Sequence, residues 1–167
     1  MKTLIVVRHA KSSWEDPELS DFKRPLNDRG ERDAPVMAKR FKEKDIQVNT
    51  VISSPAVRAM ATCQAFVGKL RFPTDQVQAS KELYHAGDEI ILNVVRGLKD
   101  HGGKNDVAML FGHNPGLTAF VNNLLEEDLD NIPTTGIVCC KLKIDKWTEA
   151  TWGCGEMEFF DYPKKEK

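Results

Sequence analysis

Short, wholly apolar runs alternate along this chain with longer stretches in which apolar residues recur every three or four positions. Leu4, Ile5, Val6 and Val7, and later Val107, Ala108, Met109, Leu110 and Phe111, are uninterrupted by any polar residue. That is the pattern of strands covered on both faces within a parallel sheet. Residues 48–52, 137–144 and 156–160 read as further strands, with a short one near Val77. Helical spacing appears in Ala34, Met37, Ala38 and Phe41, in Ile90, Ile91, Val94, Val95 and Leu98, and in Leu117, Phe120, Val121, Leu124 and Leu125. Asn27 is placed to cap the first helix, and Pro35 requires that helix to begin near Asp33 or to bend. Ser54 and Pro55 suit the cap and first position of another helix, with Arg58 and Thr62 on one face of it. His101-Gly102-Gly103 is expected to end the helix that contains Ile90. The alternation predicts an α/β fold, a three-layer α/β/α sandwich with a mostly parallel central sheet.

Length and composition narrow this picture without redirecting it. The 167 residues suit one domain over residues 1–162, followed by a charged tail at 163–167. With 41% hydrophobic and 29% charged residues and a net charge of −1, nothing favours nucleic acid or a membrane surface as partner. The first apolar run is too short for a signal-peptide core, and no run approaches the roughly 20 residues of a membrane span, so a cytoplasmic location is expected. Cys63, Cys139, Cys140 and Cys154 show neither a disulfide framework nor zinc spacing and read as reduced, packing thiols.

The chemistry gathers where the strands stop. Leu4 to Val7 gives way to Arg8-His9, the second strand to Ser53-Ser54-Pro55 with Arg58 just beyond, and the third to Gly112-His113-Asn114-Pro115-Gly116. In an open α/β sheet the ligand crevice lies outside the carboxyl ends of the strands, so this topology converges Arg8, His9, Arg58 and His113. Two guanidinium forks suit a doubly charged phosphate, and His113 can add a further donor. His9 is then free to attack phosphorus, because a neutral imidazole with an unperturbed pKa of about 6.5 is a competent nucleophile near neutral pH. The expectation is two-step covalent phosphohistidine catalysis. A phosphate-recognition module that binds phosphoprotein without turnover is the non-enzymatic alternative; it would need the arginines but has no use for His9. A metal site is not expected: no two histidines are spaced three or four apart, and two arginines would repel a divalent ion.

These segments also carry a family resemblance. Arg8-His9-Ala10 resembles the Arg-His-Gly signature of the histidine phosphatase superfamily (phosphoglycerate mutase-like). Leu26-Asn27-Asp28-Arg29-Gly30 is similar to its Leu-Thr-x-x-Gly turn, Ser53-Ser54-Pro55-Ala56-Val57-Arg58-Ala59 to its Ser-Ser-x-x-x-Arg-Ala block, and Gly112-His113 to its second histidine. Within the superfamily, Arg8-His9-Ala10-Lys11-Ser12, Arg24-Pro25-Leu26 and Gly112-His113-Asn114-Pro115-Gly116 resemble the short phosphohistidine phosphatases of the SixA type. The resemblance implies a phosphoglycerate mutase-like fold, His9 as nucleophile, Arg8, Arg58 and His113 as phosphate pocket, and no metal or cofactor. It departs from mutases at Ala10 and Lys11, where many members carry Gly-Glu, and 167 residues leave no room for the long insertions that cap mutase and phytase sites.

The substrate that follows is phosphohistidine on a phosphorylated protein, for instance a phosphotransfer domain. A small phosphoester or phosphoserine/threonine monoester is the alternative within the same superfamily. The general acid stays open. Glu82 lies in the region where the superfamily places its carboxylate, with His85 and Asp88 as rivals and a plain solvated charge as the other reading of Glu82. Arg24 either lines the phosphate site or pairs with Asp21 or Asp28. Ser12 is a phosphate donor or an ordinary loop hydroxyl, Lys11 is solvated surface, and His101 is a helix-end residue.

Overall fold

The structure, a computed structural model, describes residues 1–103 and 105–165. Its centre is β1 (Lys2–Arg8), flanked by β4 (Val107–Gly112) in parallel and β5 (Ile137–Leu142) in antiparallel. With β2 (Thr50–Ser53), β3 (Gln78–Ala79) and β6 (Gly155–Asp161) these form a six-stranded sheet in the order β3-β2-β4-β1-β5-β6. The first four strands of that order run parallel, while β5 reverses against β1 and β6 reverses again against β5.

The apolar run of β1 is double-sided, as the absence of polar residues predicted. Leu4 and Val6 pack on one face with Ile91, Leu92 and Val95 of α3 (Asp88–Arg96) and Leu117, Phe120 and Leu124 of α4 (Gly116–Leu125). Ile5 and Val7 pack on the other with Met37, Ala38 and Phe41 of α1 (Asp28–Lys42) and Cys63, Phe66 and Val67 of α2 (Val57–Leu70). The result is the three-layer sandwich with a mostly parallel sheet. Burying a side chain such as Phe66 fully is worth roughly 1.5–3 kcal/mol relative to leaving it in water. Cys63, Cys139 and Cys140 are free thiols within these layers, and Cys154 is half-buried.

Several boundaries differ from the sequence expectation. Helix α1 runs unbroken from Asp28 through Pro35, capped by Asn27, whose side chain accepts the Gly30 N–H at 2.8 Å. Pro35 and Glu31 both lie on the solvent side, so the helix bond that proline removes is lost where water can take its place. Helix α2 starts at Val57 rather than Pro55, with Ala56 at its cap position, and the Ser54 hydroxyl accepts the Ala56 N–H at 3.2 Å. Helix α3 ends at Arg96 with Gly97 after it, so His101 is not a helix-end residue. Its Nε2 instead lies 3.0 Å from Thr50 Oγ1 at the start of β2. At that same edge the buried Lys2 ammonium is matched by Asp106 at 2.7 Å and Asp100 at 3.1 Å, as a buried cation requires. In the tail, the Pro163 carbonyl accepts from Arg40 Nη1 at 3.5 Å; residues 166–167 lie outside the described residues.

Candidate active site

Strand register assembles the site. Arg8 pairs with Gly112 across β1 and β4, and Ser53 pairs with Phe111 across β2 and β4, so His9, His113 and Ser54 leave the sheet at one edge. The backbone continues the ladder for one more step, with His9 N–H donating to Gly112 O at 3.1 Å and Ser54 N–H to Phe111 O at 3.0 Å. Two glycines let neighbouring segments close on this edge. A Cβ at Gly30 would collide with the Lys11 carbonyl, and one at Gly116 with the Ala86 carbonyl. The first contact holds the segment after His9 against α1; the second holds the loop carrying His85 against the start of α4.

His9 is buried, and its Nδ1–H donates to the Ala10 carbonyl at 2.7 Å, which leaves the lone pair on Nε2. The Ala10 N–H in turn donates to Thr62 Oγ1 at 2.9 Å, and that hydroxyl donates to the Arg58 carbonyl at 2.8 Å. Thr62, on the same face of α2 as Arg58, thus ties Ala10, the neighbour of His9, to the helix that carries Arg58. Burial, joined by Arg58, Arg8 and Arg24, pushes the His9 pKa down to about 4 against the opposing pull of the Ala10 carbonyl. His113 stands with its ring centroid 5.2 Å from that of His9 and its Nε2 2.8 Å from Ser54 Oγ. Burial, then the nearby His9, Arg58 and His85, lower its pKa to about 3.

The arginines are anchored from behind. Arg8 Nη1 donates to the Ile132 carbonyl at 2.9 Å, and Arg58 Nη1 and Nη2 donate to the Asp21 carbonyl at 2.6 Å and to Asp21 Oδ2 at 3.0 Å. Arg8 Nε, Arg58 Nε and His113 Nδ1 are buried and make no hydrogen bond with other described residues. Buried polar groups without partners are rare and costly, and three in one place describe a cradle for an anion. Thr135 braces the end of β1: its N–H is shared between the Arg8 and His9 carbonyls at 3.1 Å each, from a left-handed conformation (φ 61°) that a β-branched residue seldom adopts.

The sequence reading missed Asp21. Lying in the aperiodic loop, within a 3₁₀ turn at Asp21–Lys23, it joins Arg58, Arg24, Tyr84 and His85. Partial burial would raise its pKa, but hydrogen bonds from Tyr84, Arg58 and Arg24 hold the carboxyl well below the usual range. The one signal in the sequence is Asp21's spacing three residues ahead of Arg24. Of the two readings for Arg24, its pairing with Asp21 is observed, through Nε and Nη2 to Oδ1 at 3.1 and 3.0 Å. Its Nη1 donates to Ser12 Oγ at 2.7 Å, and its guanidinium lies 3.5 Å over the Trp14 ring. Ser12 is therefore engaged with Arg24.

The open assignment separates cleanly in space. Glu82 is exposed on a 3₁₀ turn and makes no hydrogen bond or ion pair with another described residue. Asp88 Oδ2 accepts from Asn123 Nδ2 of α4 at 2.8 Å and makes no hydrogen bond with a histidine among the described residues. His85 alone of the three touches the assembly, donating from Nε2 to Asp21 Oδ2 at 2.9 Å with its ring 5.7 Å from that of His113. Among the described residues, no group of three His, Cys, Asp or Glu side chains is arranged to hold a metal ion, and no helix is long and apolar enough to cross a membrane.

Comparison with known proteins bears on the fold and the family. The fold is similar to a candidate SixA phosphohistidine phosphatase from Agrobacterium tumefaciens, at 24% identity and a TM-score of 0.81, covering 96% of this chain and 97% of that one. It is similar to the protein histidine phosphatase SixA in complex with tungstate, at 21% identity and 0.79, again over 96% and 97% of the two chains. A phosphoserine phosphatase mutant from Entamoeba histolytica, in complex with phosphoserine, matches at 16% identity and 0.65 over 98% of each chain. In sequence, 64 residues are 38% identical to an uncharacterised chloroplastic protein of Arabidopsis thaliana, a match that spans 38% of this chain and 29% of that protein. The family model for the histidine phosphatase superfamily (branch 1) matches residues 4–89, from the first residue of the β1 apolar run to the start of α3, and with that match the chain belongs to this superfamily.

Proposed function

We propose that this protein is a phosphatase that passes the phosphoryl group through His9, and that its substrate is phosphohistidine carried on another protein. The observation that carries the reading is the 2.7 Å bond from His9 Nδ1–H to the Ala10 carbonyl, which directs the free electron pair of a neutral imidazole onto Nε2. His9 Nε2 attacks phosphorus, the bond to the leaving group breaks, and water then attacks the phosphohistidine to return free His9. Arg8, Arg58 and His113 hold the non-bridging oxygens, with buried N–H groups that cost little reorganisation as charge develops. Arg24 and Ser12 act one step removed, by setting Asp21 and the loop at residues 11–24.

The similar SixA forms a complex with tungstate, a tetrahedral oxyanion, which supports a phosphate-like ligand for this protein. A protein-borne substrate is supported by the rim. Trp14, 73% exposed and stacked on Arg24, lies with the exposed Leu19 and Phe22 on the loop that follows His9. A phosphohistidine whose ring is protonated also leaves as a neutral imidazole, a far better leaving group than an alkoxide. The likeness to the phosphoserine phosphatase favours small alkyl monoesters as the second reading.

The test is a comparison of kcat/KM among a phosphohistidine-bearing protein, p-nitrophenyl phosphate and an alkyl monoester, in the presence and absence of EDTA. The expected order is phosphohistidine, then aryl, then alkyl, with no effect of the chelator. Alkyl monoesters in first place would move the assignment to the second reading, and chelator-sensitive turnover would overturn the metal-free mechanism.

A further inference from the structure

Resting on the phosphatase reading, we propose that His85, paired with Asp21, is the proton donor to the leaving group and the base that activates water in the second step. The loop that carries it is fixed, because the neighbouring Ala86 carbonyl sits where any side chain at Gly116 would be. His85 itself has a φ of 55°, in the left-handed region that few non-glycine residues occupy and histidine more readily than most. Its Nε2–H donates to Asp21 Oδ2 at 2.9 Å, and the same oxygen accepts from Arg58 Nη2 at 3.0 Å and from Tyr84 Oη at 2.6 Å. One carboxylate therefore links the candidate donor to an arginine of the anion cradle. His85 also lines a cavity of about 320 Å³ with Asp88, Asn114 and Ala119, at the loop that directly follows His113. At 54% exposure the His85 side chain can exchange protons with solvent between turnovers.

The chemistry follows from the hydrogen bond. With Nε2–H committed to Asp21, Nδ1 is the atom that gains and loses a proton, and the Asp21 carboxylate stabilises the imidazolium, as a buried aspartate does for a catalytic histidine elsewhere. With an ester substrate, in the first step the P–N bond to His9 Nε2 forms, the ester P–O bond breaks, and the Nδ1 proton moves to the leaving oxygen. In the second, water transfers a proton to Nδ1 as its oxygen bonds to phosphorus, and the P–N electron pair returns to His9. Charged or titratable groups around the ring are Asp21, Tyr84 and His113, with Arg58 and Arg24 behind Asp21 and Asp88 across the cavity. A donor of this kind matters most for a basic alkoxide and least for a leaving group that departs unaided.

The experiment measures phosphoenzyme formation in single turnover with p-nitrophenyl phosphate and with an alkyl phosphate, in the wild type, His85→Gln, His85→Gly and Glu82→Gln. His85→Gln is expected to lower the alkyl rate by about 10²–10⁴-fold and the p-nitrophenyl rate by at most about tenfold. Glycine accepts the backbone conformation at position 85 without strain, so His85→Gly keeps the fold, and free imidazole should restore part of its alkyl rate. Equal losses for the two esters, no response to imidazole, or a larger leaving-group dependence in Glu82→Gln would overturn the assignment and leave the His9 phosphatase reading standing. Absence of any phosphoenzyme in the wild type would remove both.

Discussion

The Ser54 hydroxyl lies 2.8 Å from Nε2 of His113, and the same oxygen accepts the Ala56 N–H at 3.2 Å. The serine oxygen accepts from Ala56 and has its own proton to donate; when that proton goes to Nε2, the ring proton of His113 sits on the buried, unpartnered Nδ1. Ser54→Ala removes that bias and strands a buried nitrogen. The expected outcome is a loss of stability of about 1–3 kcal/mol and a fall in kcat/KM of roughly five- to tenfold, read by urea unfolding and steady-state kinetics. An unchanged kcat/KM would mean that Ser54 does not orient His113.

Arg58 is gripped twice by Asp21, through the backbone carbonyl and the carboxylate. Arg58→Ala should lower kcat/KM by about 10²–10³-fold, the usual worth of a preorganised donor facing transition-state charge. Arg58→Lys should recover little, since a point charge cannot hold Asp21 and phosphate with one planar fork. Lysine activity near the wild type would contradict the bidentate role.

How much of this was legible in the chain varies residue by residue. The ends of β1 and β4 were plain, because an apolar run that stops at Arg8-His9 or Gly112-His113 reports both burial and its limit. Arg58 and Thr62 were placed on one face by helical spacing alone. Asp21 was not, since an aperiodic loop carries no period from which a side chain's direction can be read. Ser54 does accept the Ala56 N–H at the start of α2, but its contact with His113 joins two strand ends far apart in sequence, which no spacing reports. Separating Glu82, His85 and Asp88 in space required a meeting of segments distant in sequence, the reach of Asp21 Oδ2 to His85 Nε2, while Glu82 makes no hydrogen bond or ion pair with another described residue.

The depressed histidines set a pH dependence of stability. In the unfolded chain both imidazoles take up protons below about pH 6.5, whereas in the fold His9 does so only near 4 and His113 near 3. The unfolded state therefore binds more protons across this window, and folding stability falls as the pH drops from about 6.5 towards 4, by an amount on the order of a few kcal/mol. Urea unfolding across that range checks it, and His113→Gln should flatten the slope. Stability that rises on acidification through this window would contradict the burial of neutral imidazoles.

The central claim is that phosphorus becomes bonded to His9. Rapid-quench trapping with a radiolabelled phosphodonor tests it most directly, followed by acid and alkali treatment and mapping of the labelled peptide. The expected result is label that forms within the first turnover, survives alkali, is lost in acid and maps to the peptide containing His9. His9→Ala should form no label while still binding tungstate through Arg8, Arg58 and His113. Turnover without labelled protein, label on a serine such as Ser12 or Ser54, or activity in His9→Ala within about tenfold of the wild type would contradict the account.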